Sequence, residues 1–229
     1  MFALRWILSE VKFTYGYDYR QKSIQNEGIK KRKYLIIVQD VYKYKFVWEQ
    51  RKFRDLYKKS SEKNDGSIGI EKNITVATMK FKEDVQVSTE EYLRTYYTFN
   101  VGDIAFEGHQ SKEFRFGRFV ENDIGNGIVS HIFAVFRPIV EYDLNFWKYA
   151  INNERLMQRV LACSTKASTM MHDLVTKDFL EECFLVPSLD EQKAIGKYLK
   201  SLDDLITLHQ RKCNQLKAVK KYMLQNMFV

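Results

Sequence analysis

The chain has 229 residues, of which 45% are hydrophobic and 14% aromatic, and these values suit one folded domain of medium size with an appendage. No stretch approaches the roughly 18 apolar residues of a membrane span, and the apolar start is too short for a secretory signal, so we expect a cytoplasmic protein with no membrane contact. The net charge of +8 is uneven: residues 1–63 carry 16 Lys and Arg against 7 Asp and Glu, whereas residues 64–186 carry 13 against 18.

The first 46 residues are basic and rich in tyrosine, and their pattern assigns no structure to them. The run from Lys30 to Lys33 is interpreted as a solvated face rather than a DNA contact. The pattern changes at Trp48, which we expect to anchor a core. A short helix is predicted through Leu56 and Tyr57, ending at the polar stretch 60–66.

Residues 68–140 have mostly the pattern of strands. Apolar or aromatic segments bounded by Gly, Asn and Pro predict strands at 74–76, 85–87, 96–99, 101–106 and 132–136. Between the last two lies a glycine-punctuated stretch, 107–127, that is rich in charged and aromatic side chains. If the acidic middle of the chain binds nucleic acid, local basic loops such as this one must do so.

The remaining elements of the domain alternate between helix and strand. Helical spacing returns at 145–162, and a polar loop at 164–169, a short helix around Phe179 and a last strand at 183–186 follow it. The predicted fold class is therefore α/β (α+β), with one mixed domain followed by a long C-terminal helix.

The C-terminal helix has the clearest local signals in the chain. Ser188 followed three residues later by Glu191 is a capping box, which satisfies backbone N–H groups of the first turn. Beyond it, apolar residues recur at alternating spacings of four and three up to Met227, with Lys220 as the charged interruption. Such a heptad seam needs a partner helix to cover it.

Motifs of enzyme chemistry are missing from the sequence. There is no phosphate-binding Gly-x-x-x-x-Gly-Lys loop, and the two prolines exclude the Pro-Pro motif of adenine methyltransferases. The four histidines and three cysteines show no ligand spacing. Asp103 and Glu107 could pair around a metal, but Asp103 is better explained as the cap of a tight turn after Gly102. We predict no catalytic residue, no cofactor and no metal site.

Several segments in the same order resemble the specificity subunit of type I restriction-modification systems. The segment Pro187-Ser188-Leu189-Asp190-Glu191-Gln192-Lys193, with its continuation to residue 228, is similar to the conserved helical region of that family. Trp48-Glu49-Gln50-Arg51-Lys52 is similar to the start of a target recognition domain. The segments 101–105, 127–130 with 135–138, and 177–180 resemble internal landmarks of such a domain.

This resemblance implies a target recognition domain at 47–186 and a conserved helical, coiled-coil region at 187–229, with residues 1–46 unassigned. In that family the subunit is not catalytic. Two recognition domains read the halves of a bipartite site in double-stranded DNA, and paired helices space them. The helices also dock methyltransferase (M) subunits, and a restriction or translocase (R) subunit can join the complex.

The chain departs from the family by having one recognition domain and one conserved helix, about half the usual length. We therefore expect a homodimer through antiparallel pairing of the C-terminal helix, which favours a symmetric, interrupted DNA site. The residues assigned to the dimer or partner face of the helix are Ile195, Leu199, Leu202, Ile206, Cys213, Leu216 and Met223.

Two segments have side chains suited to DNA. In 107–118, Lys and Arg offer contacts to guanine and phosphate and Gln suits adenine, although a solvated hairpin is the alternative. In 164–169, hydroxyl groups suit phosphate, and a plain connector is the alternative. The predicted DNA-binding residues are His109, Gln110, Lys112, Arg115, Arg118, Ser164, Lys166 and Ser168, with Arg115 and Arg118 ranked first.

Two other functions stay open at this point. One is a stand-alone dimeric DNA-binding protein without enzyme partners, and co-purification with a methyltransferase would separate it from a specificity subunit. The other is a metal-dependent nuclease, which cleavage of DNA by the chain alone would support.

Overall fold

The computed structural model of the chain describes residues 48–83, 89–168 and 171–227. The basic segment 1–46 and the strand predicted at 85–87 lie outside these residues. The described strands are β1 Glu49–Lys52, β2 Tyr57–Ser60, β3 Ile74–Thr75, β4 Lys80–Phe81, β5 Tyr97–Phe99, β6 Ile104–Glu107, β7 Arg118–Glu121, β8 Gly127–Val129, β9 Ala134–Pro138, β10 Thr165–Ala167, β11 His172–Leu174 and β12 Cys183–Val186. The described helices are α1 Glu90–Leu93, α2 Leu144–Ile151, α3 Glu154–Ser164, α4 Thr176–Glu181 and α5 Leu189–Asn226.

A four-stranded antiparallel sheet in the order β2-β9-β6-β7 forms the centre of the domain. The pairing places Ile104 opposite both Phe136 on β9 and Glu121 on β7. The other described strands form four two-stranded pairs, β1-β12, β3-β4, β5-β8 and β10-β11. This arrangement, followed by α5, confirms the predicted α/β (α+β) class.

Aromatic side chains fill the space between the central sheet and helices α2 to α4. The ring of Phe179 on α4 lies 4.5 Å from Phe119 and 4.9 Å from Phe136, measured between centroids. Trp147 on α2 meets Tyr57 edge to face at 5.7 Å. Each of these rings removes a large apolar area from water, and the tilted geometry suits their quadrupoles. The helices are thereby attached firmly to one face of the sheet.

The helix predicted through Leu56 and Tyr57 is wrong. A single 3₁₀ turn covers Phe53–Asp55, and Tyr57 starts β2, which pairs with β9. Tyr57 and Ser60 are buried while the two lysines between them are exposed. Long-range pairing has overridden the local pattern here, as is common for short strands.

The predicted helix 145–162 is divided into α2 and α3 around Asn152. Asp143 caps α2 by accepting a hydrogen bond from Phe146 N at 2.8 Å, and Asn153 caps α3 by accepting one from Leu156 N at 3.3 Å. The polar loop predicted at 164–169 is wrong for residues 164–167, because Ser164 ends α3 and Thr165–Ala167 form β10. The short helix around Phe179 and the strand 183–186 are confirmed as α4 and β12.

Helix α5 begins where the capping box predicts. Ser188 N donates to Glu191 Oε2 at 3.0 Å. The first turns of α5 pack on α2, and Gly196 permits this approach: a Cβ at this position would lie 2.3 Å from Asp143 Oδ1. Ile195 packs against the aromatic core. The domain therefore covers part of this side chain, and its assignment to the partner face stays a prediction.

The rest of α5 extends away from the domain. All residues from Ser201 to Met227 are exposed, including the apolar positions of the heptad seam. Among the described residues no helix has the length and apolar character to cross a membrane.

Candidate nucleic-acid interface

The two segments chosen from the sequence for their DNA-binding chemistry meet in the structure. Residues 108–117 connect β6 to β7 and form the first of them, here named the β6-β7 loop. The β10-β11 hairpin, described at residues 165–168 and 171–174, contains most of the second. Gly108 O accepts a hydrogen bond from His172 N at 2.8 Å, and His109 forms an isolated antiparallel bridge with Met171. Two stretches about sixty residues apart thus form one continuous surface.

A tight turn at Ser111 shapes the tip of the β6-β7 loop. Ser111 N donates to Phe114 O at 3.0 Å, and Ser111 Oγ accepts from Phe114 N at 3.0 Å. Because the serine satisfies the backbone within the turn, Lys112 is held at an exposed tip. Lys112 has no ion-pair partner among the described residues, so its charge is available to a ligand.

The other exposed candidates surround this tip. Arg115 is exposed, its guanidinium lies 5.4 Å from the ring centroid of Phe116, and its backbone N donates to Glu154 Oε1 at 3.3 Å. On the hairpin, Lys166 and Ser168 are exposed. The positively charged groups are therefore distributed over both segments. The exposed predicted residues are His109, Gln110, Lys112, Arg115, Lys166 and Ser168.

Arg118 is held at the base of the loop. Its Nε donates to Glu107 Oε2 at 2.7 Å, and a second nitrogen donates to Ala77 O at 2.8 Å. The guanidinium also lies 4.9 Å from the Phe114 ring centroid. Since the side chain is only 23% exposed, these contacts close the loop and compete with any contact to DNA.

Arg118→Ala is expected to lower the free energy of unfolding by about 1–3 kcal/mol, because it leaves the partly buried Glu107 carboxylate without its partner. DNA binding should weaken for all sequences alike, since the whole loop is loosened. Thermal unfolding of the variant beside Arg115→Ala checks this, because Arg115 is exposed and its loss should leave the melting temperature nearly unchanged. Equal melting temperatures for both variants would contradict it.

Ser164 is removed from the set of candidate DNA contacts. It is fully buried, and its Oγ donates to Val160 O at 2.7 Å within α3. A serine in the last turn of a helix commonly bonds to the carbonyl four residues earlier. The sequence pattern could not distinguish this position from an exposed hydroxyl in a loop.

His172 is a residue of this surface that the sequence did not single out. It is 8% exposed, and its ring Nε2 contacts the side-chain amide nitrogen of Gln110. The ring also packs edge-on against Phe116 with 5.5 Å between centroids. No spacing rule pointed to it, since the contacts join residues 62 apart in the sequence.

The carboxylates considered for a nuclease site are each bound by an arginine. Asp103 is buried and accepts three hydrogen bonds from Arg137, at 3.1 Å, 3.3 Å and 3.0 Å, and one from Asn100 N at 2.9 Å. Glu107 pairs with Arg118. The turn-capping interpretation of Asp103 is thus confirmed. In the part of the chain that the structure describes, no group of three His, Cys, Asp or Glu could hold a metal ion.

Comparison with known proteins agrees with the resemblance inferred from the sequence. A family model described as the type I restriction modification DNA specificity domain matches residues 47–218. Curated proteins yield no match.

Among solved structures, the chain is similar to the HsdS subunit from Thermoanaerobacter tengcongensis, with 16% identity and a TM-score of 0.54 over 80% of this chain and 49% of that one. It is also similar to a chain from structural work on complex assembly and conformational transition of the type I R-M system. That chain is 13% identical with a TM-score of 0.52, over 81% of this chain and 50% of that one. At these identities the similarity to the two solved chains shows a shared fold. The present chain spans about half the length of each of them. Because the family model covers most of the sequence, the chain belongs to the type I restriction modification DNA specificity domain family.

Proposed function

We propose that this chain is a non-catalytic subunit that reads DNA sequence for a type I restriction-modification complex. One observation carries the proposal: in a chain of this family, the two segments selected for DNA-binding chemistry are joined by the Gly108–His172 hydrogen bond into one exposed surface. The ligand is double-stranded DNA. Methyltransferase subunits modify the site that the chain selects, and a restriction or translocase subunit joins through the complex.

The exposed residues divide by chemistry into two groups. Lys112 and Lys166 are point charges on flexible stems, which suit phosphates and carry little sequence information. Ser168 adds a hydroxyl on the same hairpin. Arg115 and Gln110 carry planar groups that bind bases with two hydrogen bonds, the first suited to guanine and the second to adenine. His109 adds an exposed imidazole next to Gln110 in the sequence.

The exposed half of α5 supplies the assembly surface in this proposal. Its apolar seam beyond the domain has no cover within the described residues, and an exposed stripe of this kind marks a protein interface. Antiparallel pairing of two copies of α5 produces a homodimer with two reading surfaces and a symmetric, interrupted DNA site. The exposed seam residues are Leu202, Ile206, Cys213, Leu216 and Met223, and the half-buried Ile195 and Leu199 precede them on the helix.

The division between phosphate and base contacts is tested by measuring affinity against salt. We expect Lys112→Ala with Lys166→Ala to weaken binding to every DNA sequence and to reduce the slope of log K against log salt by roughly 2. Arg115→Ala should instead relax the preference at one base pair, by about 1–3 kcal/mol.

Lys217→Ala with Lys221→Ala is the matched control, because it removes the same two charges from the exposed half of α5, outside the loop and the hairpin. A wild-type salt slope in the Lys112 and Lys166 double variant would refute the proposed surface. A wild-type chain that binds all duplexes equally would refute sequence reading itself.

A further inference from the structure

We propose that His172 is a positioning residue that orients the side-chain amide of Gln110 for recognition of an adenine base. The inference rests on the proposed function and deepens it, since it names the base and a residue that fixes the contact. The juxtaposition that supports it is a buried imidazole whose Nε2 contacts the amide nitrogen of an exposed glutamine.

The position of the imidazole is set independently of Gln110. The backbone of His172 is bound to Gly108 O and lies so close that a Cβ on Gly108 would be 2.1 Å from His172 O. The ring is confined against Phe116, and strand pairing places His172 opposite Ala167. Backbone and packing therefore hold the ring before any ligand arrives, which is the support that a precise binding residue needs.

Hydrogen-bond chemistry then fixes the amide. An amide nitrogen only donates, so in this orientation of Gln110 the His172 Nε2 atom is the acceptor of the contact. Nδ1 is buried and has no partner among the described residues. Among the described residues, the hydrogen-bond partner of the His172 ring is therefore the side chain of Gln110.

The free atoms of the Gln110 amide are one N–H and the carbonyl oxygen. Adenine presents an acceptor at N7 and a donor at N6 in the major groove, which this pair matches. Guanine presents acceptors at both N7 and O6, so the amide oxygen would face an acceptor there. An exposed glutamine otherwise loses rotamer freedom when it binds, and His172 removes part of that cost in advance.

The test is selection of duplexes from a randomised DNA pool by the full-length chain, followed by sequencing of the bound fraction. The wild type should require adenine at one position, and Gln110→Ala should reduce that preference roughly tenfold. His172→Phe retains an aromatic ring against Phe116 and removes both nitrogens. It should reduce the preference at the same position and at no other, and its combination with Gln110→Ala should add nothing further.

Rescue distinguishes positioning from general support of the fold. The side chain of His172→Gln reaches the place of Nε2, whereas the side chain of His172→Asn is one methylene shorter and reaches only that of Nδ1. We expect the glutamine variant to keep the adenine preference and the asparagine variant to lose it. This pair also decides the matter if His172→Phe fails to fold.

Three results would overturn the inference while the proposed function stands: uniform loss of affinity at all positions in His172→Phe, an unchanged adenine preference in that variant, or no change in Gln110→Ala. A wild-type chain that selects no sequence at all would instead refute the proposed function.

Discussion

Replacing Glu121 by glutamine is expected to stabilise the protein at and above neutral pH and to flatten the dependence of its stability on pH. Glu121 lies on β7 with 3% of its surface exposed, and neither carboxyl oxygen has a hydrogen-bond partner among the described residues. Burial raises the pKa of this carboxyl to about 9, with a further contribution from the nearby charge of Asp123. The folded state therefore favours the protonated, neutral form of Glu121.

The sign of the effect follows from the raised pKa. Below the ordinary glutamate pKa of 4.5, both the folded and unfolded states bind the proton, and Glu121 causes no loss of stability. As the pH rises from there towards 9, the unfolded chain releases the proton while the folded chain retains it, so folding becomes less favourable. At pH 7 the cost is on the order of 3 kcal/mol, and glutamine, which has nearly the same shape and never ionises, removes it.

The measurement is chemical unfolding of the wild type and Glu121→Gln between pH 5 and pH 9. The difference in free energy of unfolding should be small at pH 5 and should grow with pH. Glu113→Gln serves as the control, since Glu113 is an exposed glutamate of the β6-β7 loop. A Glu121→Gln curve that runs parallel to the wild type would show that the folded and unfolded states hold this proton equally.

Elements of this fold with local signals could be predicted from the sequence. The start of α5 follows from Ser188 and Glu191, whose side chains act within one helical turn. Two strands that depend on pairing with another segment are absent from the prediction. Tyr57 belongs to a strand because β9 pairs with it, and Thr165 because β11 does.

The candidate site divides in the same way. Composition was enough to select 107–118 and 164–169, because a surface that binds DNA needs exposed polar and basic side chains. Local patterns could not show that Gly108 and His172 join the two segments, that Glu107 binds Arg118, or that Ser164 is buried. These properties arise from tertiary contacts, and they determine which candidates remain free.

Placing two glutamates on the seam of α5, by Ile206→Glu with Leu216→Glu, should convert the proposed homodimer into a monomer. Ile206 is 54% exposed and Leu216 is 61% exposed in the single chain, so the substitutions disturb no packing within the domain. In a paired helix they bury unpaired charges, which weakens association by roughly two to three orders of magnitude. Light scattering at micromolar concentration measures the change, and a wild-type chain that is itself monomeric would refute the dimer.

The matched control is Thr207→Glu with Ala218→Glu, which adds the same charge to the opposite side of the same exposed helix. This variant should remain a dimer, and it separates the effect of a covered seam from that of added charge alone.

Pairing through α5 should also determine which DNA site the protein selects. The exposed part of α5 is ~40 Å long, so antiparallel pairing would hold two reading surfaces at a fixed distance. The seam variant should therefore lose the preference for a symmetric, interrupted site and still select a single half-site, because the β6-β7 loop and the β10-β11 hairpin belong to the domain and not to the helix.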